Sequence, residues 1–366
     1  MDTIQINPTQ HEILKSVWLK EHFARQELSE ALNIDKSTVS RNLESLISQG
    51  LVLEAGEKNP GESGGRKTQI LNFNKDYFNI LGIAVVNGRA LYTINDMQGN
   101  VLFKDSIRFE KKDGEFFRGL DSVIELALKN YGNILAICIS MPGIIDSAKG
   151  YVVFSEDLEL KNLNLKKYVE NKYKIYTFIE NDANSGVASY LSHFRLKYSN
   201  LIYFMFFFPD KIFKFGGLGA GIVIDKKIYR GSNSAAGEIK FEQELWFDKE
   251  KLYSIKDINT GFRENPEIMD VLNRITDMLS NRIYYLTNFL DPDHIILGGD
   301  INQFSEEVKN YLMSKIFRKF GITENNRFIL VDAQGLVSIA AGGTISFMNA
   351  FMSDFAMAKK ILKFGL

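Results

Sequence analysis

Two adjacent stretches near the start of the chain, Arg25–Leu32 and Lys36–Gln49, place apolar residues at helical spacing, with Asn33-Ile34-Asp35 between them and Gly50 after them. This predicts helix, tight turn, helix and a glycine stop, which is a helix-turn-helix pattern. Asp35 stands where its carboxylate can accept from the free N–H groups of the second helix. Val39, Leu43, Leu46 and Ile47 fall on one side of that helix and are expected to face a core. The other side carries Lys36, Ser37, Thr38, Ser40, Arg41 and Glu44. Short hydroxyls and an Arg at the N-terminal end of such a helix suit the edges and flanking phosphates of a major groove, so Lys36, Ser37, Thr38, Ser40 and Arg41 are candidate contacts to double-stranded DNA.

Beyond Gly50 the period changes from helix to strand. Leu51-Val52-Leu53 and Ile70-Leu71-Asn72-Phe73 flank a polar, glycine-rich stretch from Gly56 to Lys67, which predicts a two-stranded wing with a loose tip. Within the tip, Gly64-Gly65-Arg66-Lys67 lets the backbone come close to a partner while two cations project. Arg66 and Lys67 are therefore candidates for a narrow, electronegative minor groove, although a plain basic loop reads the same way. Residues 1–75 hold nine Lys/Arg and ten Asp/Glu, so any DNA contact must come from locally clustered cations.

The remainder alternates strands and helices. Ile80–Val86 and Arg89–Asn95, joined by Asn87-Gly88, predict a hairpin, and Val101–Phe103 a third strand. A helix is expected near Leu120–Tyr131, then a strand over Ile134–Ser140, another at Tyr176–Glu180 and a helix from Asp182 to Leu196. In layered α/β sheets ligands bind beyond the carboxyl ends of strands, so Glu180, Asn181 and Asp182 occupy a favourable place. Strands over Leu201–Phe208 and Gly219–Ile224 precede a long helix from Pro266 to Leu290, closed by Pro292, and a short strand His294–Gly299. No repeat of fixed period and no low-complexity linker interrupts this order.

Composition sets limits on these readings. At 366 residues, 45% apolar and 24% charged, with a formal net charge of -1, the chain has globular proportions, and a broad polycationic coat is excluded. Cys138 is the only cysteine, which removes an intrachain disulfide and a thiolate cluster from consideration. The most apolar run, Leu201–Phe208, is too short to span a bilayer, and the N-terminus lacks the basic-then-apolar pattern of a leader; a cytoplasmic setting is expected.

Five segments in order, Met141-Pro-Gly-Ile-Ile-Asp146, Glu180-Asn-Asp-Ala-Asn184, Gly217-Leu-Gly-Ala-Gly-Ile222, Ala236-Gly-Glu-Ile239 and Leu290-Asp-Pro292 leading into Ile296-Leu-Gly-Gly299, resemble the ROK family of repressors, open reading frames and kinases. The N-terminal winged head, with Ser63-Gly-Gly-Arg66, is similar to its repressor branch. The resemblance implies an α/β fold: a winged helix-turn-helix over 1–75 followed by a two-lobed, actin-like sugar-kinase domain over 76–366. Lobe 1 is expected at about 76–185 plus a C-terminal helix at about 345–366, and lobe 2 at about 186–344.

The same resemblance implies a sugar pocket at Asp157, Asn181, Asp182 and Glu238, carboxylates and amides being able to satisfy paired hydroxyls. Bland roles for the same residues remain open, a helix cap for Asn181-Asp182 and a solvated turn for Glu238. The chain departs from the family's kinases where Ala84 stands for an acidic residue and Gly-Gly-Thr is missing, so Asp182 is read as a vestigial base that accepts a sugar hydroxyl. It departs from the zinc-holding members where Phe241 stands for a His and no downstream Cys follows, so neither metal nor cofactor is expected. Gly217, Gly219, Gly221, Gly298 and Gly299 fit either a relic nucleotide cleft or ordinary sheet turns. The function implied is a sugar-responsive transcriptional repressor, a homodimer reading two half-sites of an operator. An ATP-dependent sugar kinase with a DNA-binding head, and a regulator that binds DNA constitutively after losing its ligand, stand beside it.

Overall fold

The structure is a computed structural model that describes residues 4–20, 22–58, 68–86, 88–109, 115–193, 198–207, 217–239, 253–320 and 329–364. Its first helix, α1 (Pro8–Leu19), has no counterpart in the sequence expectation. Asn7 caps it reciprocally with Gln10, and Pro8 sits at the first turn, where its missing N–H costs nothing. There follow β1 (Phe23–Ala24), α2 (Arg25–Leu32), α3 (Lys36–Ser48), β2 (Val52–Lys58) and β3 (Thr68–Phe73). The turn between α2 and α3 passes through Asn33 in the left-handed region. β2 and β3 pair antiparallel, with β1 on the other side of β3, and give the expected wing.

Lobe 1 is built from β4 (Asn79–Val86), β5 (Arg89–Asn95), β6 (Val101–Arg108), α4 (Glu115–Asn130), β7 (Ile134–Met141), β8 (Ile144–Asp146), β9 (Tyr151–Ser155), β10 (Leu160–Leu163), α5 (Leu165–Tyr173) and β11 (Tyr176–Asn181). Its main sheet runs β11-β7-β4-β5-β6, parallel across β11, β7 and β4 and antiparallel through the hairpin. β6 continues to Arg108, well past the expected Phe103, because its later residues are mostly polar and solvent-facing and carry no apolar signal. α4 likewise begins five residues before Leu120, at Glu115.

Helix α6 (Asp182–His193) leads to lobe 2: β12 (Leu201–Phe207), β13 (Gly217–Ile224), β14 (Lys227–Ile228), β15 (Glu238–Ile239), α7 (Ile255–Gly261), α8 (Pro266–Leu290), β16 (His294–Gly299), α9 (Glu306–Phe320) and β17 (Ile329–Val331). The sheet order is β14-β13-β12-β16-β17, with β15 also on β13. β12 is buried on both faces, as its unbroken apolar run predicts. α8 starts at Pro266 under an Asn265 cap and ends on left-handed Asp291 before Pro292.

The chain closes with α10 (Leu336–Ser353) and α11 (Phe355–Phe364). The expected C-terminal helix at about 345–366 is thus two helices, and the first starts at Leu336, inside the stretch that the sequence assigned to lobe 2. α10 has no charged residue and is long and apolar enough to cross a membrane, yet it is mostly buried within the protein. It crosses α6 closely: a Cβ at Gly342 would lie 1.7 Å from the Ser185 carbonyl oxygen, so only glycine permits the approach. Ser140 Oγ, 2.7 Å from Ser185 Oγ, and the Ile339 carbonyl fix the same crossing.

One apolar core runs through the head and lobe 1. Ile13, Leu14 and Trp18 of α1, Val39, Leu43 and Leu46 of α3, Ile80 of β4, Phe347 and Phe351 of α10 and Ile361 of α11 belong to the same buried cluster. Two polar contacts reinforce it: His11 Nε2 lies 2.9 Å from the Phe351 carbonyl oxygen, and Trp18 Nε1 donates to the Met97 carbonyl at 3.0 Å.

Candidate functional site

The outer face of α3 is one candidate site. Asp35 accepts from Thr38 N at 2.8 Å and from Ser37 Oγ at 2.6 Å, and these hydrogen bonds hold its carboxyl well below the usual range. Val39, Leu43 and Leu46 are buried and Ile47 packs on the same core, as their spacing predicts. Lys36, Ser37 and Arg41 are exposed and Thr38 is half-buried. Ser40 is half-buried too, and its hydroxyl accepts from Arg25 at 2.7 Å while Arg25 also reaches Glu44 at 3.2 Å. Ser40 therefore links α2 to α3, a role that sequence spacing does not reveal. Arg66 and Lys67 lie outside the described residues.

The second site lies where β11 passes into α6. Asp182 is the first residue of that helix, 7% exposed, and its Oδ1 accepts from Ala183 N at 2.7 Å. Burial first, then the charges of Glu238 and Asp157, push its carboxyl up to about 7 against the opposing pull of the Ala183 N–H. The structure thus brings Asp157, Asp182 and Glu238 into one electrostatic neighbourhood from three separate segments. Asp157 and Glu238 are exposed, and Asp182 is buried.

Asn181 is placed by its neighbours. Its amide donates to the Gly143 carbonyl at 3.0 Å, and its oxygen accepts from Asn184 N at 3.1 Å. Gly143 itself is pressed against Ser155, two residues before Asp157, so the β9–β10 turn sits beside Asn181. Behind them Glu180 is fully buried. Its Oε1 accepts from Ser147 Oγ at 3.0 Å, Asn181 N at 2.9 Å and Asn184 Nδ2 at 3.2 Å, and its Oε2 accepts from two guanidinium nitrogens of Arg230, Nε at 3.1 Å and Nη2. Arg230 is absent from the sequence reading; a lone Arg after an apolar strand offers no periodicity and only its nearness to Ala236-Gly237-Glu238 as a clue. Asn184 Oδ1 and Ser155 Oγ are buried without a hydrogen-bond partner among the described residues.

Ala84, by contrast, is fully buried in an apolar cluster with Leu91, Ala183, Val187, Ile339 and Ala340. Of the glycines that fit two readings, Gly221 and Gly298 meet close internal neighbours: added Cβ atoms would lie 2.1 Å from the Ala183 carbonyl oxygen and 1.8 Å from Tyr203 Oη. Tyr203 Oη in turn donates to buried Asp332 at 2.9 Å. Packing within the sheet is thus reason enough for these two glycines. Phe241 lies outside the described residues, and among those described no group of three or more His, Cys, Asp or Glu is arranged to hold a metal ion.

A chain with this order of elements is a two-lobed α/β protein carrying a winged helix-turn-helix, and comparison places it further. The ROK family model matches residues 87–243 of this chain. It is 31% identical over 236 residues to a xylose repressor of Caldicellulosiruptor bescii, a match covering 62% of this chain and just over half, 56%, of that protein. It is 28% identical to the xylose repressor of Bacillus subtilis strain 168, covering 94% of this chain and 96% of that one. Among solved structures, a ROK family transcriptional regulator described as a homolog of the E. coli MLC protein has a TM-score of 0.68 at 17% identity, covering 96% of this chain and 99% of that chain. A ROK family glucokinase from Streptomyces griseus, in complex with glucose and AMPPNP, has a TM-score of 0.59 at 16% identity, covering 73% and 98%. At these identities the structural likeness shows the fold, which regulators and kinases share.

Proposed function

We propose that the protein is a DNA-binding transcriptional repressor whose operator affinity is set by a neutral sugar bound at the Asp157–Asn181–Asp182–Glu238 site. The observation that carries this reading is the junction of two surfaces in one core: an outward α3 with Lys36 and Arg41, and an acidic, partly buried polyol-type site, joined through α10 and α1. The site suits hydroxyls because carboxylates and amides each satisfy two neighbouring groups, and the buried Asn184 Oδ1 is an acceptor with hydrogen-bonding capacity to spare. Repressors of xylose use among the relatives support a monosaccharide effector and an operator partner. The reading takes the repressor to be a cytoplasmic homodimer that meets two operator half-sites by two-fold symmetry.

Sugar kinases of the same fold keep a catalytic reading in view. Ala84 argues against it. Phosphoryl transfer needs charge and metal at the phosphates, and this position is instead a methyl group in an apolar cluster. Thermal-shift titration with D-xylose, D-glucose and N-acetylglucosamine, with and without ATP and magnesium, tests both, because a ligand of the native state raises apparent stability by mass action. Stabilisation by sugar alone, a matching change in operator affinity and no turnover are expected; Asp182-dependent phosphorylation would establish the kinase.

A further inference from the structure

Glu180 and Arg230 lie on different lobes, and neither is among the residues to which sugar contact is assigned. Glu180 is the penultimate residue of β11 in lobe 1, whereas Arg230 follows β14 in lobe 2. The Glu180 carboxylate divides its two oxygens between these sides. Oε1 takes the backbone N–H of Asn181 and the amide of Asn184, which sets the loop that presents Asn181 and Asp182. Oε2 takes Arg230 alone among the described donors. From Arg230 the chain turns back on itself: its carbonyl accepts from Ala236 N at 3.2 Å, and Gly237, at φ +85° and against the Ala220 backbone, leads into Glu238. Arg230 thus anchors the near end of the turn whose far end, Glu238, pairs with Gly219 of β13.

We infer that Arg230 is a positioning residue for sugar recognition: through Glu180 it fixes Glu238 of one lobe against Asn181 and Asp182 of the other. The inference rests on the proposed sugar site. Its physical basis is that a charge-assisted pair with a fully buried carboxylate is strongly directional, and that a recognition geometry displaced by even 1 Å loses affinity steeply. A third of the Arg230 side chain remains exposed, so the clasp sits at the mouth of the site rather than inside the core.

Arg230→Gln, Arg230→Lys and the double variant Glu180→Gln/Arg230→Gln test it. The double variant leaves no unpaired buried charge, so it keeps the question open if Arg230→Gln alone fails to fold. Isothermal titration with D-xylose, D-glucose and N-acetylglucosamine is expected to show affinity about 10- to 100-fold weaker in Arg230→Gln and in the double variant, the range over which supporting residues ordinarily act, with part of the loss restored in Arg230→Lys. Operator binding without sugar should equal that of the parent. Amide exchange without sugar supplies the independent arm: peptides covering 181–184 and 230–239 should lose protection together in the double variant. Parent-like sugar affinity in the double variant, or protection unchanged in both peptides, overturns the inference. A parent chain that ignores all three sugars overturns the functional reading instead, while the exchange arm still decides whether Arg230 holds the two loops.

Discussion

Helix α3 carries its candidate DNA contacts in one short run from Lys36 to Arg41, on a frame fixed by Asp35 and the buried spacing of Val39, Leu43 and Leu46. The acidic site gathers Asp157, Asp182 and Glu238 from three segments, and it depends on Glu180 and Arg230 to hold two of them in register. The first surface, exposed at Lys36, Ser37 and Arg41, is written locally; the second is half-buried and exists only once both lobes have formed. Substitution on α3 should therefore change binding with little effect on folding, whereas substitution behind the acidic site should propagate.

The largest expected effect tests whether these surfaces stand on one core. Phe351 is 1% exposed between α10 and the head, so Phe351→Ala should cost about 3–5 kcal/mol, and it should lower one cooperative melting transition monitored by calorimetry. Two separated transitions in the parent would mean that head and body fold independently.

Asp182→Ala is expected to weaken sugar binding by about 1–3 kcal/mol, measured by titration calorimetry, while operator binding without sugar survives. The same residue gives the parent a pH signature. Because its carboxyl is raised from 3.8 to about 7 in the fold, the folded state holds a proton that the unfolded state has released. That contribution to stability is fully present below pH 3.8 and is lost as pH rises through about 7, with a slope of up to about 1.4 kcal/mol per pH unit between those limits. Sugar affinity should move the other way and increase from pH 6 to 8 as the accepting carboxylate forms. A parent and an Asp182→Asn variant with the same pH–stability curve would remove Asp182 from this account.

On the head, Arg41→Ala should reduce operator affinity by about 1–3 kcal/mol and flatten sequence preference, read by gel shift with operator and scrambled duplexes. Equal loss on both duplexes would reassign Arg41 to phosphate. The smallest effect belongs to the cap: Asp35→Ala should lower the melting temperature slightly and Asp35→Ser should restore it, since either side chain can accept from Thr38 N.

This contrast also explains what was legible in the sequence. The spacing of Val39, Leu43 and Leu46 marked α3, and Pro266, with the apolar positions that follow it, marked α8, because helical period is a local signal. α1 was missed although Asn7, Pro8 and Gln10 write a capping box; its buried face, Ile13, Leu14, Val17 and Trp18, fills a core whose other wall lies in α10 and α11. Asp182 was legible as a motif residue. Its raised carboxyl was not, because that depends on burial and on charges more than twenty residues away in each direction. Arg230 and the internal use of Ser40 were invisible for the same reason: each is defined by a partner from another element.

The close crossing of α6 and α10 at Gly342 has a mechanical consequence. A contact this tight, flanked by the Ser140–Ser185 hydroxyl pair, resists sliding and leaves rotation as the easier motion, which makes the crossing a fulcrum. From Gly342 to Phe351 the helix extends roughly 14 Å at 1.5 Å per residue. A turn of roughly 10° about that point would sweep the Phe351 end by about 2 Å, and His11 and the rest of α1 are fastened to that end. Small rotations of α10 about Gly342 would thus be carried to α1 and the head that packs on it.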